Sequence, residues 1–415
     1  MKKVLGLLCV IIGMTCVFSC SESENVESIN KQTVLVYMPW TGSESSQGLY
    51  SFFKANLDSI YLGIKQKKGL GTSRLIVFLS ESATKSTLFE VTYDGTECQN
   101  QTLKEYSGRE YTTQEGITQI LTDVKGFAYG LNYAMIIGSH GNGWTFKEDW
   151  TNYPYRAKTF GGSVDSKETE RVPYATFDGE LTEKHTRFFG SISDINGFSV
   201  DVPTLANAIK NAEMKMQYIY FDDCYMANVE VAYELREVTN YLVTSTCEMM
   251  ATGTPFKSAW TYMASPTPNY AMMVSNFVSY YRSTPAPYAT LSAIDCREMD
   301  QLALIMKDIN SQYQLDPNLL DNIQIMDGFD HHIFYDMRSY LSNLCTNERQ
   351  LNQVLSVLEK AVPYKDCTEQ FYSYIYGVQR KYDIKTYSGI TISDPSLNEV
   401  ALKGKEKTSW WKATH

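Results

Sequence analysis

The sequence alternates short apolar runs with longer amphipathic segments, and this alternation limits the fold more than any other feature. Runs rich in Val, Ile, Leu and aromatic residues occupy 33–38, 74–80, 133–139, 216–221 and 241–247. Helical patterns of about a dozen residues separate most of them. Near-continuous apolar runs are typical of parallel strands that helices cover on both faces. The pattern therefore predicts an α/β fold with a mostly parallel central sheet flanked by helices.

The same pattern divides the chain into regions. Residues 32–300 carry the alternation and form the predicted core, which is interrupted at about 141–200 by a segment without a sustained period. A loop of that length inside a core is commonly functional or disordered. Beyond residue 301, helical patterns predominate until a last short strand run at 389–392. We expect a mainly helical C-terminal region, 301–415, packed on the core.

The N-terminus has the features of an export signal. Residues 1–20 begin with two lysines, continue as an uncharged apolar run and end at Ser19 and Cys20. This order predicts a secretory signal peptide over 1–19, which is too short for a stable membrane span. The polar, acidic stretch at 20–31 predicts a flexible tether. We therefore expect an exported protein.

The charge balance argues against nucleic acid as a partner. The 415 residues include 37 Lys and Arg against 47 Asp and Glu, a formal charge of −10. Binding to a phosphate backbone depends on a basic excess, which this chain lacks. The sequence also has no P-loop, no G-x-G-x-x-G turn and no G-x-S-x-G elbow. These absences argue against a nucleotide enzyme and against a serine hydrolase.

The cysteines and histidines do not have the spacing of a metal site. Six cysteines follow Cys20 at wide, irregular intervals, without a C-x-x-C pair, which argues against a zinc ribbon or a small disulfide scaffold. Whether these cysteines form a disulfide bridge in an exported chain stays an open question. His185, His331 and His332 lack metal-ligand spacing, so we expect them to have structural or surface roles.

Two of the predicted strands end in residues suited to chemistry. The run at 133–139 is followed by His140 and Gly141, and the run at 216–221 is followed by Asp222, Asp223 and Cys224. Ligands of open α/β sheets bind at the carboxyl ends of the strands. If these strands are neighbours, His140 and Cys224 face each other across one sheet edge.

These residues could together perform acyl transfer. A nearby imidazole, and the N-terminus of the helix predicted over 225–238, would activate the Cys224 thiol. The backbone N–H groups of Gly141 and Cys224 could form an oxyanion hole. The alternative is that Cys224 is a small buried apolar residue and His140 a turn residue.

Two segments carry a family resemblance. MIIGSHGNGW at 135–144 and FDDCYMANVEVAYEL at 221–235 resemble the histidine and nucleophile motifs of the clostripain family of cysteine peptidases, which have a caspase-like fold. The resemblance implies a caspase-like, mostly parallel central sheet with a helical C-terminal extension. It also implies that His140 is the base, that Cys224 is the nucleophile and that Gly141 donates a hydrogen bond to the oxyanion.

The resemblance also implies a substrate class and an anchor. Family members favour Arg or Lys before the cleaved bond, and the acidic residue two positions before the nucleophile, here Asp222, is placed to meet that cation. Glu248, in the loop after the next strand, is a second candidate for the same pocket. The end of the signal resembles a bacterial lipoprotein box, which implies acylation of Cys20 and attachment to the lipid of the outer membrane. Whether the protein is exposed at the cell surface is left open.

Family members are often matured by self-cleavage after a basic residue in the segment between histidine and cysteine. The insert offers Lys147, Lys158, Lys167, Arg171, Lys184 and Arg187, although lysine is also common in any solvated loop. Some relatives respond to calcium, but the sequence has no EF-hand loop. We therefore expect no cofactor, with calcium left open by the resemblance alone.

Asp223 departs from the family pattern, which has a small residue before the nucleophile. A second carboxylate at this position could raise the thiol pKa or distort the pocket. Two functions therefore remain. One is an exported, lipid-anchored cysteine endopeptidase that cuts peptides or proteins after Arg or Lys. The other is a catalytically weak or inactive lipid-anchored paralogue that binds basic peptides.

Overall fold

The computed structural model describes residues 29–42, 48–150, 189–190, 195–375 and 378–415. The predicted signal peptide and Cys20 lie outside these ranges. So do the basic residues of the insert, apart from Lys147. The interpretations of those segments stay predictions.

Nine strands form the central sheet: β1 (Gln32–Met38), β2 (Ser73–Ser82), β3 (Lys85–Tyr93), β4 (Cys98–Tyr106), β5 (Tyr133–Gly138), β6 (Met216–Asp222), β7 (Thr239–Thr244), β8 (Thr290–Asp295) and β9 (Tyr364–Cys367). Their order across the sheet is β9-β8-β7-β6-β5-β1-β2-β3-β4. The central strands β7, β6, β5, β1 and β2 are parallel to one another. The predicted parallel sheet is confirmed at the centre of the molecule.

Both edges of the sheet are antiparallel. Strands β3 and β4 extend one edge beyond β2, and β8 and β9 extend the other beyond β7. Strand β4 was absent from the sequence prediction because its residues, CQNQTLKEY, are mostly polar and exposed. In contrast, every residue of β1 and β5 is buried, as expected for strands covered on both faces.

Helices cover both faces of the sheet. The longer ones are α1 (Tyr50–Lys67), α2 (Gln114–Phe127), α3 (Val202–Asn211), α4 (Val229–Leu235), α5 (Phe256–Met263), α6 (Tyr270–Arg282), α7 (Met299–Gln312), α8 (Met337–Leu344), α9 (Glu348–Ala361), α10 (Glu399–Gly404) and α11 (Ser409–Thr414). Helices α1, α5 and α6 bury their apolar side chains against one face. The remaining helices of this set pack on the other face. Within the described ranges, no helix combines the length and the apolar character that a membrane span requires.

The C-terminal region contains strands as well as helices. Strand β9 completes one edge of the central sheet. It is followed by a hairpin of β10 (Gln370–Ile375) and β11 (Val378–Asp383). The strand predicted at 389–392 is a two-residue strand, Thr391–Ile392, which pairs with Tyr335–Asp336. These short strands bring the C-terminal region next to the end of β6, because Thr391 N donates to Ala227 O at 2.9 Å.

Candidate active site

The two strand ends predicted to carry the chemistry are neighbours. Strands β5 and β6 pair in parallel, in a register that joins Gly138 to Asp222. The chain after Gly138 therefore leaves the sheet beside the chain after Asp222. At Gly141 the two segments touch: a Cβ there would lie 2.6 Å from the Cys224 carbonyl oxygen and 3.0 Å from its backbone nitrogen. Only glycine permits so close an approach of backbones.

The backbone of His140 pairs with the returning end of the insert. His140 N donates to Gly190 O at 3.3 Å, and Gly190 N donates to His140 O at 3.0 Å. The insert thus begins and ends beside His140. His140 lies just beyond the end of the buried strand β5, as the sequence predicted.

The Cys224 thiol is only partly exposed. Met249 N donates to its Sγ at 3.3 Å, and Sγ lies 3.8 Å from Met249 O. Burial raises the pKa of the Cys224 thiol well above its usual value, and the negative charge of Glu248 raises it further. The resting site therefore favours the thiol over the thiolate, so nucleophilic attack requires a base.

The prediction that a helix begins directly after Cys224 is wrong. Helix α4 begins at Val229, with Asn228 as its N-cap accepting from Val231 N. The intervening chain takes a different path because Tyr225 has a φ of +59°. Its N–H donates to Cys247 O at 3.1 Å, and Ala227 N donates to Ser245 O at 2.9 Å. The helix N-terminus therefore does not lie at the thiol and cannot lower its pKa in the expected way.

Glu248 lies near the nucleophile and is held by several donors. Tyr225 Oη donates to Glu248 Oε1 at 2.6 Å, and Ser373 Oγ donates to the same oxygen at 2.5 Å. The backbone N–H of Tyr374 lies 2.9 Å from both carboxylate oxygens. Glu248 thus joins the residue after Cys224 to strand β10.

Asp222 lies at the end of β6 and is partly exposed. Thr254 Oγ1 donates to its Oδ1 at 2.7 Å, and Asn56 Nδ2 donates to its Oδ2 at 3.4 Å. Burial raises the pKa of Asp222 to about 6. Across the described ranges, no Lys, Arg or His forms an ion pair with it. Its carboxylate could therefore receive a cation from outside the chain.

Asp223 has a different environment. Only 1% of its surface is exposed. Ser139 N donates to its Oδ1 at 2.7 Å, and Ser139 Oγ donates to its Oδ2 at 2.8 Å. These bonds join the residue before His140 to the residue before Cys224. From the sequence we expected Asp223 to disturb the thiol or the pocket, and this link to Ser139 was not predicted.

Two backbone N–H groups at this edge, those of Gly141 and Cys224, donate to no group in the part of the chain that the structure describes. Unpaired N–H groups beside a nucleophile are what an oxyanion hole requires. The arrangement can therefore support attack on a carbonyl carbon.

Sequence reasoning missed the aromatic packing behind the nucleophile. The ring of Phe334 stacks on Tyr225, with centroids 5.2 Å apart, and a Cβ on Gly143 would lie 2.7 Å from the Phe334 ring. Asp327, which accepts from Phe334 N at 2.7 Å, also contacts His332 Nδ1 at 3.0 Å. Phe334 follows Tyr225 by more than a hundred residues, so no local pattern could indicate this contact.

The described residues also bring together no group of three or more His, Cys, Asp or Glu side chains placed to hold a metal ion. In the same ranges, the cysteines at 98, 224, 247, 296, 345 and 367 are free thiols. His185 lies outside those ranges.

A family comparison identifies the chain. The model of the clostripain family, Peptidase_C11, matches residues 182–396, which is about half of the 415 residues. A comparison with curated proteins finds no match.

Solved structures extend the match to almost the whole chain. A secreted C11 cysteine protease from Bacteroides thetaiotaomicron, "iotapain", is 38% identical with a TM-score of 0.80, covering 93% of this chain and 99% of that one. A clostripain from Bacteroides thetaiotaomicron in complex with the peptide inhibitor BTN-VLTK-AOMK is 44% identical with a TM-score of 0.51, covering 52% and 96%.

An inactive zymogen C11 protease from Parabacteroides distasonis shares the fold, with 23% identity and a TM-score of 0.72 over 92% of this chain and 98% of that one. The resemblance found in the two motifs is confirmed. The chain belongs to the clostripain family and is a cysteine peptidase with a caspase-like fold.

Proposed function

We propose that this protein is an exported, lipid-anchored cysteine endopeptidase that cleaves after Arg or Lys, with Cys224 as nucleophile and His140 as base. One observation carries the proposal: the chain after His140 packs directly on the backbone of Cys224 at the shared end of β5 and β6. A base and a nucleophile on touching segments are what acyl transfer by a protonated thiol requires.

The chemistry follows from the environment of the thiol. Because burial holds the Cys224 thiol protonated, His140 removes the proton as Sγ attacks the carbonyl carbon of the peptide bond. The N–H groups of Gly141 and Cys224 donate to the oxygen that becomes negative. His140 then returns the proton to the leaving amine, and water hydrolyses the acyl-enzyme by the same route.

Asp222 would select the residue before the cleaved bond. Asp222 is a partly exposed residue, and its carboxylate has no cation partner in the described ranges, so it can bind a guanidinium or ammonium group. With a pKa of about 6, it is ionised at neutral pH. The inhibitor in the similar clostripain carries the sequence VLTK, which ends in Lys. Glu248 already accepts from Tyr225, Ser373 and Tyr374, so we assign recognition of the cation to Asp222.

Export and anchoring rest on the first twenty residues. The apolar run that ends at Cys20 supports cleavage before that cysteine and its acylation, and the similar "iotapain" is a secreted protease. Cells fed an alkyne-labelled fatty acid should yield labelled protein in the membrane fraction. The Cys20→Ser variant should be unlabelled, and equal labelling of the two would contradict the anchor.

Turnover of fluorogenic peptides tests the activity. In assays run both with and without added calcium, the wild-type protein should hydrolyse peptides ending in Arg or Lys in at least one of the two conditions, and Cys224→Ala should hydrolyse them in neither. Matched peptides ending in Ala or Glu should be poor substrates. On a gel, wild type should also show fragments from cleavage in the insert, whereas Cys224→Ala should stay intact.

The binding paralogue remains a second candidate because of one observation. Burial and the Glu248 carboxylate both raise the pKa of the thiol, and an ionised Asp223 would raise it further, which opposes catalysis. This candidate predicts turnover equal to that of Cys224→Ala, together with retained binding of Arg- or Lys-rich peptides by both proteins.

A further inference from the structure

We propose that Asp223 is a positioning residue whose carboxyl group works in its neutral form, as a hydrogen-bonded bridge that aligns the His140 segment with the Cys224 segment. This inference rests on the proposed roles of His140 and Cys224. It concerns a residue of the nucleophile motif that departs from the family pattern.

The bridge lies between the residues that directly precede the base and the nucleophile. Ser139 directly precedes His140, and Asp223 directly precedes Cys224. Both Ser139 N and Ser139 Oγ bond to Asp223, at 2.7 and 2.8 Å, and both residues are buried. A Cβ on Gly141 would lie 2.6 Å from the Asp223 Cβ. The Asp223 side chain is thus enclosed between the two segments that must be held in register.

The Ser139 hydroxyl has one hydrogen but two acceptors in range, Asp223 Oδ2 at 2.8 Å and His140 O at 3.0 Å. If Asp223 is ionised, this hydrogen can serve only one of them, and His140 O then has only its bond from Gly190 N. If Asp223 is protonated on Oδ2, it donates to Ser139 Oγ, and Ser139 Oγ donates to His140 O. The neutral form therefore makes both short contacts of Ser139 Oγ into hydrogen bonds.

Asp223 has no counter-ion among the described residues, since it forms no ion pair with Lys, Arg or His. A buried carboxylate without a counter-ion is costly. The titratable groups next to it along the two segments are Asp222, which is the last residue of β6, Cys224, and the His140 that follows Ser139. Burial raises the pKa of Asp223 well above its usual value, and the charge of Asp222 raises it further, against the lowering effect of the Ser139 bonds.

The consequence concerns the neighbouring thiol. An ionised Asp223 would disfavour the thiolate at Cys224, whereas a neutral Asp223 holds the same geometry without that charge. An acidic residue next to the nucleophile is then compatible with an active enzyme. The bridge gives the alignment that a small residue at this position could not supply.

The pH dependence of Cys224 alkylation by iodoacetamide tests the charge state. In wild type and in Asp223→Asn, whose amide imitates the neutral carboxyl, the rate should rise with pH at the same inflection, within about 0.3 pH units. If Asp223 is ionised in the wild type, the substitution removes a negative neighbour. The inflection then moves to lower pH by about 1 unit or more, and the proposal is overturned.

Turnover tests the positioning role. Asp223→Ala should lower kcat by about 30-fold or more with little change in KM, because misplacement of the reacting groups costs up to roughly a hundredfold. Asp223→Asn should restore at least about a third of the wild-type kcat. A kcat in Asp223→Ala equal to wild type would overturn the role, and so would equal losses in the two variants.

Two controls keep the outcomes separate. Peptide mapping of the alkylated protein locates the label on Cys224, so the charge-state test does not depend on peptide turnover or on the preference for Arg or Lys. If Asp223→Ala does not fold, as judged by thermal unfolding, the comparison of wild type with Asp223→Asn still decides the proposal.

Discussion

Asp222 and Asp223 are consecutive carboxylates at the end of one strand, yet they have opposite environments. Asp222 is partly exposed and contacts Thr254 and Asn56, whereas Asp223 is buried and contacts Ser139. The first can accept a cation from a substrate, and the second bonds only within the protein. Side chains that alternate along a strand face different surroundings. Adjacent positions in a motif can therefore perform unrelated tasks.

Asp222 is thus assigned to recognition of the substrate, and Asp223 to alignment of the two catalytic segments. The effect on turnover of a substitution at Asp222 should depend on the substrate, whereas a substitution that disturbs the Asp223 bridge should lower the turnover of every substrate alike.

Replacing Asp222 should give the largest effect that depends on the substrate. We expect Asp222→Ala to lower kcat/KM for Arg and Lys peptides by roughly a thousandfold, because a site built around a polar contact loses strongly when that contact is removed. Alkylation of Cys224 by iodoacetamide should change by less than about threefold. A comparable fall in alkylation would show that Asp222 acts on the thiol, which would break the comparison.

Adding one methyl group at Gly141 should affect all substrates. In Gly141→Ala the new Cβ meets Asp223 and the Cys224 backbone at about 2.6 Å, so the two segments must separate. We expect kcat to fall by roughly a hundredfold for every peptide. Gly126→Ala is the matched control, since a Cβ there meets no atom within 4 Å. A loss confined to Arg and Lys peptides would show that Gly141 acts on substrate recognition and would contradict its role in alignment.

The pH dependence of inactivation separates the two carboxylates further. Because the pKa of Asp222 is raised to about 6, its carboxylate is present above that pH and is lost as the pH falls through it. The ratio of inactivation rates by a Lys-ended peptide reagent and by iodoacetamide should rise as the pH increases through about 6. Dividing by the iodoacetamide rate cancels the titration of Cys224 and His140. A ratio that is independent of pH would contradict the role of Asp222.

Removing the Tyr225 hydroxyl should give the smallest effect, on stability. Tyr225→Phe keeps the ring stacked on Phe334 but removes a donor from Glu248. We expect a loss of about 1.5–3 kcal/mol in the free energy of unfolding, the usual contribution of a hydrogen bond to a charged group. Chemical denaturation measures it, with the exposed Tyr129→Phe as a control near zero. Equal stability of the two variants would show that the hydrogen bond from Tyr225 to Glu248 does not stabilise the chain segment after Cys224.

The sequence predicted the parts of the molecule that follow from local pattern. The buried strands β1, β5 and β6 appear as apolar runs, and their ends predicted where His140 and Cys224 would meet. The polar strand β4 has no such run. The prediction of a helix directly after Cys224 was wrong. The apolar residues at 225–238 have helical spacing, but Tyr225 has a left-handed conformation that depends on hydrogen bonds to the chain after β7.

Long-range contacts account for the rest of what the sequence could not supply. Asp223 was expected only to disturb the thiol, since its partner Ser139 lies more than eighty residues away. Glu248 was placed near the site by its position after β7, but its bonds to β10 depend on the hairpin in the C-terminal region. A charged residue in a motif indicates a functional site, but its role depends on hydrogen-bond partners that lie far away in the sequence.

Mapping of a covalent inhibitor tests the central claim most directly. The protein is treated with a Lys-ended peptide acyloxymethyl ketone, digested and analysed by mass spectrometry. The account predicts one adduct, on Cys224, that is absent in Cys224→Ala and forms far more slowly in Asp222→Ala. An adduct on another cysteine, or an equal rate for a Glu-ended reagent, would contradict it.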